Sequence, residues 1–324
     1  MILSRRSLLG LAATLPFGRA SANEARSSAL ILGTGKAGGD YVLYGTEWAK
    51  LARASSGVEI ALRASGGAAA NILLIEQGAA QLGMTTLVIA EEARKGTGNW
   101  TAGVKLQEFR ALFPAFPSIL QIISPRSSGI ATLAGLAGQV VGIGPADKNG
   151  TAAMSALFSS VGVLPAQALS GGYVDQVHAM LAGKIAACAF IGAPPLRSIV
   201  HVAMRHKFSL IGFSEAEAAQ VARTSPGMTP MVLQAGTFPG QTTAVASVGT
   251  ENFAIGAASL SDALAGKLTL AALRNQPALA ALVRAAGAKP DSGPIVRAGI
   301  PFHPGAARVL RDHGLWIPDR DVRS

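Results

Sequence analysis

Apolar residues change their spacing along the first part of the chain, and each change falls at a run of small residues. The apolar stretch at 29–32 predicts a β-strand, and the small-residue loop at 33–39 follows it. Residues 41–54 then carry apolar side chains at helical spacing. A second strand is predicted at 58–62, and it ends in another small-residue loop at 63–67. A strand, a loop of small residues and a helix therefore form a repeating unit.

The same unit occurs once more. Residues 68–77 have the pattern of a largely buried helix, for which Gly78 is a natural C-terminal stop. Residues 81–84 predict a short strand that runs into Thr85 and Thr86. Alternating strands and helices are typical of an α/β fold with a mostly parallel sheet. In such sheets ligands bind beyond the carboxyl ends of the strands.

The later pattern predicts a second lobe and a return to the first. The apolar strand at 118–124, after Pro114 and Pro117, is interpreted as the crossing into the second lobe. The apolar strand at 242–248 is interpreted as the return, with Ala- and Leu-rich helices over 252–286. The expected organisation is a signal peptide at 1–22, a first lobe at 23–118, a second lobe at 119–241, and at 242–324 the return with C-terminal helices. Further strands are expected at 139–143 and 186–191, and further helices at 151–161, 173–181 and 304–312.

The N-terminal segment has the pattern of an export signal. Arg5 and Arg6 precede a short apolar stretch at 8–17, and the small residues Ala20 and Ala22 form a cleavage site. We expect cleavage after Ala22 and a mature chain of 302 residues in the periplasm. The paired arginines also resemble a twin-arginine signal, and an ordinary signal that happens to contain two arginines stays open as the alternative.

Composition restricts the function classes. A hydrophobic content of 49% with 14% charged residues predicts a large core. Removal of 1–22, with its three arginines, lowers the formal net charge from +10 to +7. The basic residues are scattered and aromatic residues make up only 5%, so we expect no nucleic-acid partner. Cys188 is the only cysteine and lies in an apolar run, which predicts a buried, inert thiol.

One motif points to a different class of protein. Residues 33–38 (GTGKAG) match G-x-G-x-x-G between a strand and a helix, as in dinucleotide-binding folds. That fold places an acidic residue about 20 residues later, whereas Arg63 ends the second predicted strand here. An arginine there could accept a 2′-phosphate. An exported nicotinamide-dependent oxidoreductase using the Gly33 to Gly38 loop therefore remains the alternative.

Other catalytic or metal-binding patterns are missing from the sequence. None of the five histidines has H-E-x-x-H or another metal-ligand spacing, and G-x-S-x-G does not occur. Glu91 and Glu92 are interpreted as a solvated helix face. We expect no catalytic residue, no metal and no cofactor.

Several short motifs occur in a fixed order over residues 29–316. They are TGKAGGDYVLYG at 34–45; SGG at 65–67 with Asn71, Leu74, Gly78, Leu82 and Gly83; SGI at 128–130 with Leu133, Leu136, Gly138, Val141 and Gly144; FPGQ at 238–241; and IPFHPGA at 300–306. This ordered set resembles the TAXI family of solute-binding proteins of TRAP transporters. The chain departs from the family pattern at Ala70 and at Ala79–Ala80, where acidic residues are common, and at Phe238, where tyrosine is usual. These departures concern the ligand more than the fold.

The resemblance implies a two-lobed α/β fold of the type II periplasmic-binding-protein class, with a ligand cleft between the lobes. It implies a receptor without catalysis that binds a small anionic or zwitterionic solute, such as a glutamate-like amino acid or a dicarboxylate. The partners it implies are that solute and the membrane permease subunits of a TRAP transporter. We expect a monomer.

Residues in the small-residue loops are the candidate ligand contacts. Amide groups at helix starts hold carboxylates well because no side chain intervenes. From the first lobe we expect contacts from Thr34, Gly35, Lys36, Gly39, Tyr41, Gly66, Gly67, Asn71, Thr85 and Thr86. From the second lobe we expect contacts from Gly144, Gly150, Thr151, Gly192 and Pro194. His303 is expected to cap or brace the last helix.

Overall fold

The computed structural model describes residues 29–37, 39–145, 148–283 and 289–323, with the backbone alone at 148–150. The expected export signal at 1–22 lies outside the described residues.

Most of the strands are short, but two are long enough to run through both halves of the molecule. The strands are β1 (Leu30–Gly33), β2 (Ile60–Arg63), β3 (Leu82–Thr86), β4 (Phe109–Pro125), β5 (Val140–Gly142), β6 (Gln167–Leu169), β7 (Ala187–Gly192), β8 (Phe208–Ile211), β9 (Thr229–Leu233) and β10 (Val245–Ala257).

Within the described residues these strands join in one mixed sheet. Its main order is β2-β1-β3-β10-β4-β7-β5-β6, while β8 pairs with β4 and β9 with β10. β1 runs parallel to β2 and β3, and β5 runs parallel to β6 and β7. The long strands β4 and β10 are antiparallel to each of their partners. The sheet was expected to be mostly parallel and is mixed instead, because its two central strands run against their neighbours.

The helices pack on the faces of this sheet. They are α1 (Asp40–Ser56), α2 (Ala68–Glu76), α3 (Leu87–Lys95), α4 (Lys148–Ser160), α5 (Tyr173–Leu181), α6 (Arg197–Ala203), α7 (Glu215–Thr224), α8 (Asp262–Arg274), α9 (Gln276–Leu282), α10 (Gly293–Arg297) and α11 (Pro304–Asp312), with 3₁₀ turns at Asn99–Thr101, Arg126–Ser128, Ala134–Leu136 and Asp319–Asp321. Among the described residues, no helix combines the length and the apolar character needed to cross a bilayer.

The hydrophobic core divides between two lobes. In the first lobe, one cluster buries Trp48 of α1 together with Phe113, Phe253 and residues from the C-terminal helices. The second lobe has a cluster on each face of its sheet. Alternate residues of β4 separate them, since Leu120 belongs to one cluster and Ile119 to the other. The chain is thus a two-lobed α/β protein in which β4 and β10 run through both lobes.

Helix α1 illustrates how the sequence sets these elements. Gly39 occupies the N-cap with extended backbone, and Gly57 ends the helix in the left-handed conformation. Tyr44 and Trp48 lie one turn apart and are both buried, as their spacing predicts. The indole Nε1 of Trp48 donates to the carbonyl of Leu268, which fixes α1 against α8.

Two expectations about the crossing strands were wrong. Pro114 and Pro117 were read as punctuation before a strand, but both lie inside β4. On one edge of β4 both prolines pair with β10. On the other edge β7 pairs with β4 only from Ile119 onward, so within the described residues that edge has no strand partner at the two prolines. Residues 252–257 were expected to be helical, and they form the second half of β10.

The C-terminal helix was predicted correctly. α11 spans Pro304–Asp312, and His303 is its N-cap, with its side chain accepting a hydrogen bond from the amide of Gly305. The other ring nitrogen of His303, Nε2, lies 2.9 Å from the carbonyl oxygen of Leu260. Burial lowers the pKa of this imidazole. His303 is a structural residue, as expected.

Candidate functional site

A cleft of about 600 Å³ separates the two lobes. Loops and helix starts of the first lobe form one wall, and the end of β7 with the start of α6 forms the other. The cleft is lined by Gly35, Lys36, Gly39, Asp40, Tyr41, Leu43, Gly67, Ala68, Thr86, Phe116, Ser118, Pro145, Tyr173, Val174, Ile191, Gly192, Ala193, Pro195, Leu196, Arg197, Ser198, Asn252, Leu282 and Val283.

The first loop brings the start of α1 to the cleft. Gly39 caps the helix without any side-chain hydrogen bond. Its amide donates to the carbonyl of Lys36 at 3.1 Å, which closes the loop into a tight turn. The first amides of a helix have no acceptor within the helix. Gly35, Lys36, Gly39 and Tyr41, all expected at the site, line the cleft here.

The second loop presents the start of α2 to the same space. Gly67 is the N-cap of α2, with φ of 100° and ψ of −150°, and no side chain caps this helix either. Its amide donates to the hydroxyl of Ser65 at 3.0 Å. A β-carbon at Gly67 would meet nothing within 4 Å, so the position faces open space. Gly66, beside it, is not among the residues that line the cleft.

Asn71 lies beneath the two loops and not in the cleft. Its side chain is fully buried, and Nδ2 donates to the carbonyls of Thr34 and Met84, each at 2.8 Å. Its Oδ1 accepts from the hydroxyl of Ser65 at 2.6 Å. A β-carbon at Gly33 would lie 2.5 Å from that oxygen. Asn71 therefore ties the first two loops to β3, and Gly33 is a glycine because Asn71 packs against it.

Of the three threonine hydroxyls expected at the site, two belong to buried residues and one to a partly buried residue. Thr34 is buried, and its Oγ1 donates to the carbonyl of Arg63 at 3.1 Å. Thr85 is also buried, with Oγ1 3.5 Å from the carbonyl oxygen of Ala68. Thr86 lines the cleft and caps α3, where its Oγ1 accepts from the amide of Ile89. Only Thr86 of the three reaches the cleft.

On the second lobe, Gly192 lines the cleft at the end of β7. Gly144 is buried and lies against an aromatic ring, because a β-carbon there would be 2.6 Å from Cε1 of Tyr173. Pro194 and Thr151 are not among the lining residues, and Thr151 lies in the first half of α4. Only the backbone of Gly150 is described, at the start of α4.

The floor of the cleft is a polar chain that the sequence did not predict. The hydroxyl of Tyr41 donates to Oδ1 of Asn252 at 2.8 Å. Nδ2 of Asn252 donates to the hydroxyl of Ser118 at 2.8 Å and to the carbonyl of Phe116 at 2.9 Å. Asn252 was missed because residues 252–257 were assigned to a helix. The tyrosine of the first motif was the signal that could have led to it.

Charged and polar side chains face each other across the cleft. Lys36 and Asp40 belong to the first lobe, and Arg197 belongs to the second. Burial raises the pKa of Tyr173, and the negative charge of Asp40 raises it further. Ser198 also lines the cleft, and its buried Oγ has no hydrogen-bond partner among the described residues.

Glu251 lies where β10 crosses between the lobes, opposite Pro117 of β4. Burial raises the pKa of this carboxyl from about 4.5 to about 7, and Asp291 contributes a smaller like-charge effect. The folded chain therefore holds the proton more tightly than the unfolded chain does. The resulting contribution to stability is complete below about pH 4.5 and is lost as the pH rises through 7.

Groups that could support metal or thiol chemistry are not assembled in the described ranges. There, no cluster of three or more His, Cys, Asp or Glu side chains could hold a metal ion. Cys188 is fully buried, as expected, and burial raises the pKa of its thiol to about 12. Glu91 was expected to be solvated but is buried, and its Oε1 accepts from Nζ of Lys95 at 3.0 Å.

Comparisons with known proteins agree with this architecture. The model of the NMT1-like family matches residues 32–314. A TctC solute-binding protein from Polaromonas has a similar structure, with a TM-score of 0.57 and 14% identity over 88% of this chain and 94% of that chain. A protein described as a periplasmic transporter gives a TM-score of 0.52 and 13% identity over 85% and 93%. At these identities the similarity establishes the shared fold.

Proposed function

Because this chain belongs to the NMT1-like family, whose match spans both lobes, we propose that it is an extracytoplasmic solute receptor. Its ligand is a small anionic or zwitterionic solute, such as a glutamate-like amino acid or a dicarboxylate. It delivers this solute to the permease subunits of a TRAP-type secondary transporter, as a monomeric member of the TAXI group. It works in the periplasm after removal of residues 1–22.

One observation carries the proposal. The N-terminal ends of α1 and α2, at Gly39 and Gly67, open into the same cleft, and no side chain caps either helix. Each helix start offers amide donors and the positive end of a helix dipole, which together stabilise a carboxylate. The cleft volume of about 600 Å³ lies within the range of about 300–1,000 Å³ usual for small-molecule sites.

The side chains of the cleft support an anionic group on the ligand. Lys36 and Arg197 supply cations from opposite walls, so a ligand that bridges them would draw the lobes together. Asp40 adds one negative charge on the first wall. A glutamate-like amino acid, with two carboxylates and one ammonium group, could use all three charges, whereas a dicarboxylate would use the two cations and meet repulsion from Asp40. We therefore favour the amino acid among the two ligand classes.

The buried residues that were expected to bind the ligand have a positioning role in this proposal. Thr34, Asn71 and Thr85 fix the loops whose glycines face the cleft. Gly35, Lys36, Gly39, Tyr41, Gly67, Thr86 and Gly192 are the proposed contacts retained from the sequence, and Ser118, Tyr173, Arg197, Ser198 and Asn252 are added to them. Gly66, Gly144, Gly150, Thr151 and Pro194 remain proposed neighbours of the site.

We place the lobe boundaries inside the crossing strands. Phe116 packs in the core of the first lobe and Ile119 in the core of the second, which supports a boundary near residue 118. On the return, Val248 belongs to the second lobe and Phe253 to the first, so the boundary lies later than the expected 241. Both crossings then meet at the floor of the cleft.

A thermal-shift screen of the mature chain tests the function. The compounds are L-glutamate, other amino acids, 2-oxoglutarate, succinate, NAD and NADP. A ligand at 100 times its dissociation constant should stabilise the fold by about 2.7 kcal/mol. A shift with an amino acid or a small dicarboxylate supports the receptor. A shift with NADP and with no small acid would contradict it and favour the oxidoreductase.

A further inference from the structure

A second groove lies at the end of the second lobe that faces away from the cleft. Its volume is about 480 Å³. Gly192, the last residue of β7, lines the cleft. Because β4 runs antiparallel to β7, the last residue of β4, Pro125, lies at the other end of this strand pair, where it lines the groove. We call it the distal groove, and it is lined by Pro125, Arg126, Ser127, Met180, Leu181, Val202, His206, Lys207 and Phe208.

The distal groove has an apolar interior and projecting apolar residues at its edge. Met180 and Val202 are buried at its base. Leu181, at the end of α5, is 38% exposed, and Met204, which directly follows α6, is 61% exposed. Exposed apolar side chains beside an apolar groove form the kind of patch that marks a contact site for a protein or a membrane.

The rim of the distal groove is positively charged. The cations Arg126 and Lys207 line it together with His206, and the cation Arg205 directly precedes His206 in the chain. All four residues are exposed, and none takes part in an ion pair within the described ranges. No carboxylate is among the lining residues. The rim thus presents cations that pair with no carboxylate within the described ranges.

We propose that the distal groove is a docking surface for the anionic headgroup layer of a membrane. Apolar side chains that enter the interfacial layer, surrounded by Lys and Arg that meet anionic headgroups, are the recognised chemistry of peripheral membrane contact. The projecting Leu181 and Met204 favour a soft, penetrable layer over the rigid surface of an acidic protein. Contact at this end leaves the cleft, at the opposite end of β7, clear of the membrane surface.

Vesicle binding of the mature chain tests the proposal. The probes are vesicles of phosphatidylglycerol and phosphatidylcholine in equal parts, and vesicles of phosphatidylcholine alone. The wild type should bind the anionic vesicles, with an affinity that falls as salt is added. Replacing Arg126→Ala together with Lys207→Ala should weaken binding about 30-fold, since each cation near an anionic surface contributes about five-fold. Met204→Ser should weaken it several-fold even at high salt.

A matched pair on the other lobe controls for net charge. Lys267→Ala with Arg274→Ala removes two exposed cations of α8 and should change vesicle binding far less. Circular dichroism checks that all variants are folded. Equal losses in the two double variants would overturn the proposal, because binding would then follow net charge alone. No wild-type binding to anionic vesicles would also overturn it and leave the groove to an acidic protein.

Discussion

Gly67 is the position where a single added methyl group should weaken ligand binding as well as the fold. It is the N-cap of α2 and has φ of 100° and ψ of −150°. Only glycine adopts this region of backbone space without strain. The added β-carbon of Gly67→Ala would meet nothing within 4 Å, so its effect comes from the backbone and not from a clash.

The expected magnitudes follow from that geometry. A non-glycine residue in this conformation costs about 1–3 kcal/mol, which the loop can relieve by turning. Turning the loop redirects the first amides of α2 away from the ligand. Loss of one hydrogen bond to a charged group is worth about 1.5–3 kcal/mol, or about 10- to 150-fold in affinity. Gly67→Ala should therefore weaken both stability and binding.

Gly78, just beyond the other end of α2, is the matched control. It has φ of 66°, and a β-carbon there also meets nothing within 4 Å. Gly78→Ala should cost about 1–2 kcal/mol of stability and leave ligand affinity unchanged. Urea unfolding measures the first quantity, and titration calorimetry with the strongest acid from the thermal-shift screen measures the second. Wild-type affinity in a folded Gly67→Ala variant would refute the assignment of α2 to the site.

Three further outcomes are expected. Asn71→Ala should lower the free energy of unfolding by about 2–4 kcal/mol in urea melts, because two carbonyls each lose a buried hydrogen-bond donor and the hydroxyl of Ser65 loses an acceptor; a loss below about 0.5 kcal/mol would contradict its bracing role. Glu251→Gln should flatten the decline in stability between pH 4.5 and pH 8 by up to about 3 kcal/mol, and a variant with the wild-type pH profile would exclude Glu251 as the cause. Cys188 should resist a thiol reagent at pH 8 until the protein unfolds, since its pKa is about 12; rapid labelling of the native protein would show that the thiol is accessible.

The sequence predicted the local elements of the fold well. Helices α5 and α11 begin and end at the predicted residues, because their apolar spacing and their flanking glycines or proline agree. The glycine-rich loops were correctly placed at strand ends. Periodicity could not predict the two crossing strands, since β4 contains prolines and β10 continues past the apolar run at 242–248. Their extent depends on strand partners far away in the chain.

It was harder to predict which side chains of the loops face the cleft and which are buried beneath it. Thr34 and Asn71 look like ligand contacts from their neighbours in sequence, but buried carbonyls beneath the loops need hydrogen-bond donors and these side chains supply them. Asn252 and Arg197 reach the cleft from elements more than 150 residues away from the first loop. Neither belongs to a motif, so only the folded arrangement brings them to the site.

Titration calorimetry on the mature chain, followed by proton NMR of the recovered ligand, tests the central claim most directly. We predict saturable binding of an amino acid or small dicarboxylate at one site per chain, with the ligand recovered chemically unchanged. Arg197→Ala should weaken this binding, because the second wall of the cleft then loses its cation. Conversion of the ligand to a product, or binding that persists unaltered in both Gly67→Ala and Arg197→Ala, would contradict a solute receptor that binds between its lobes.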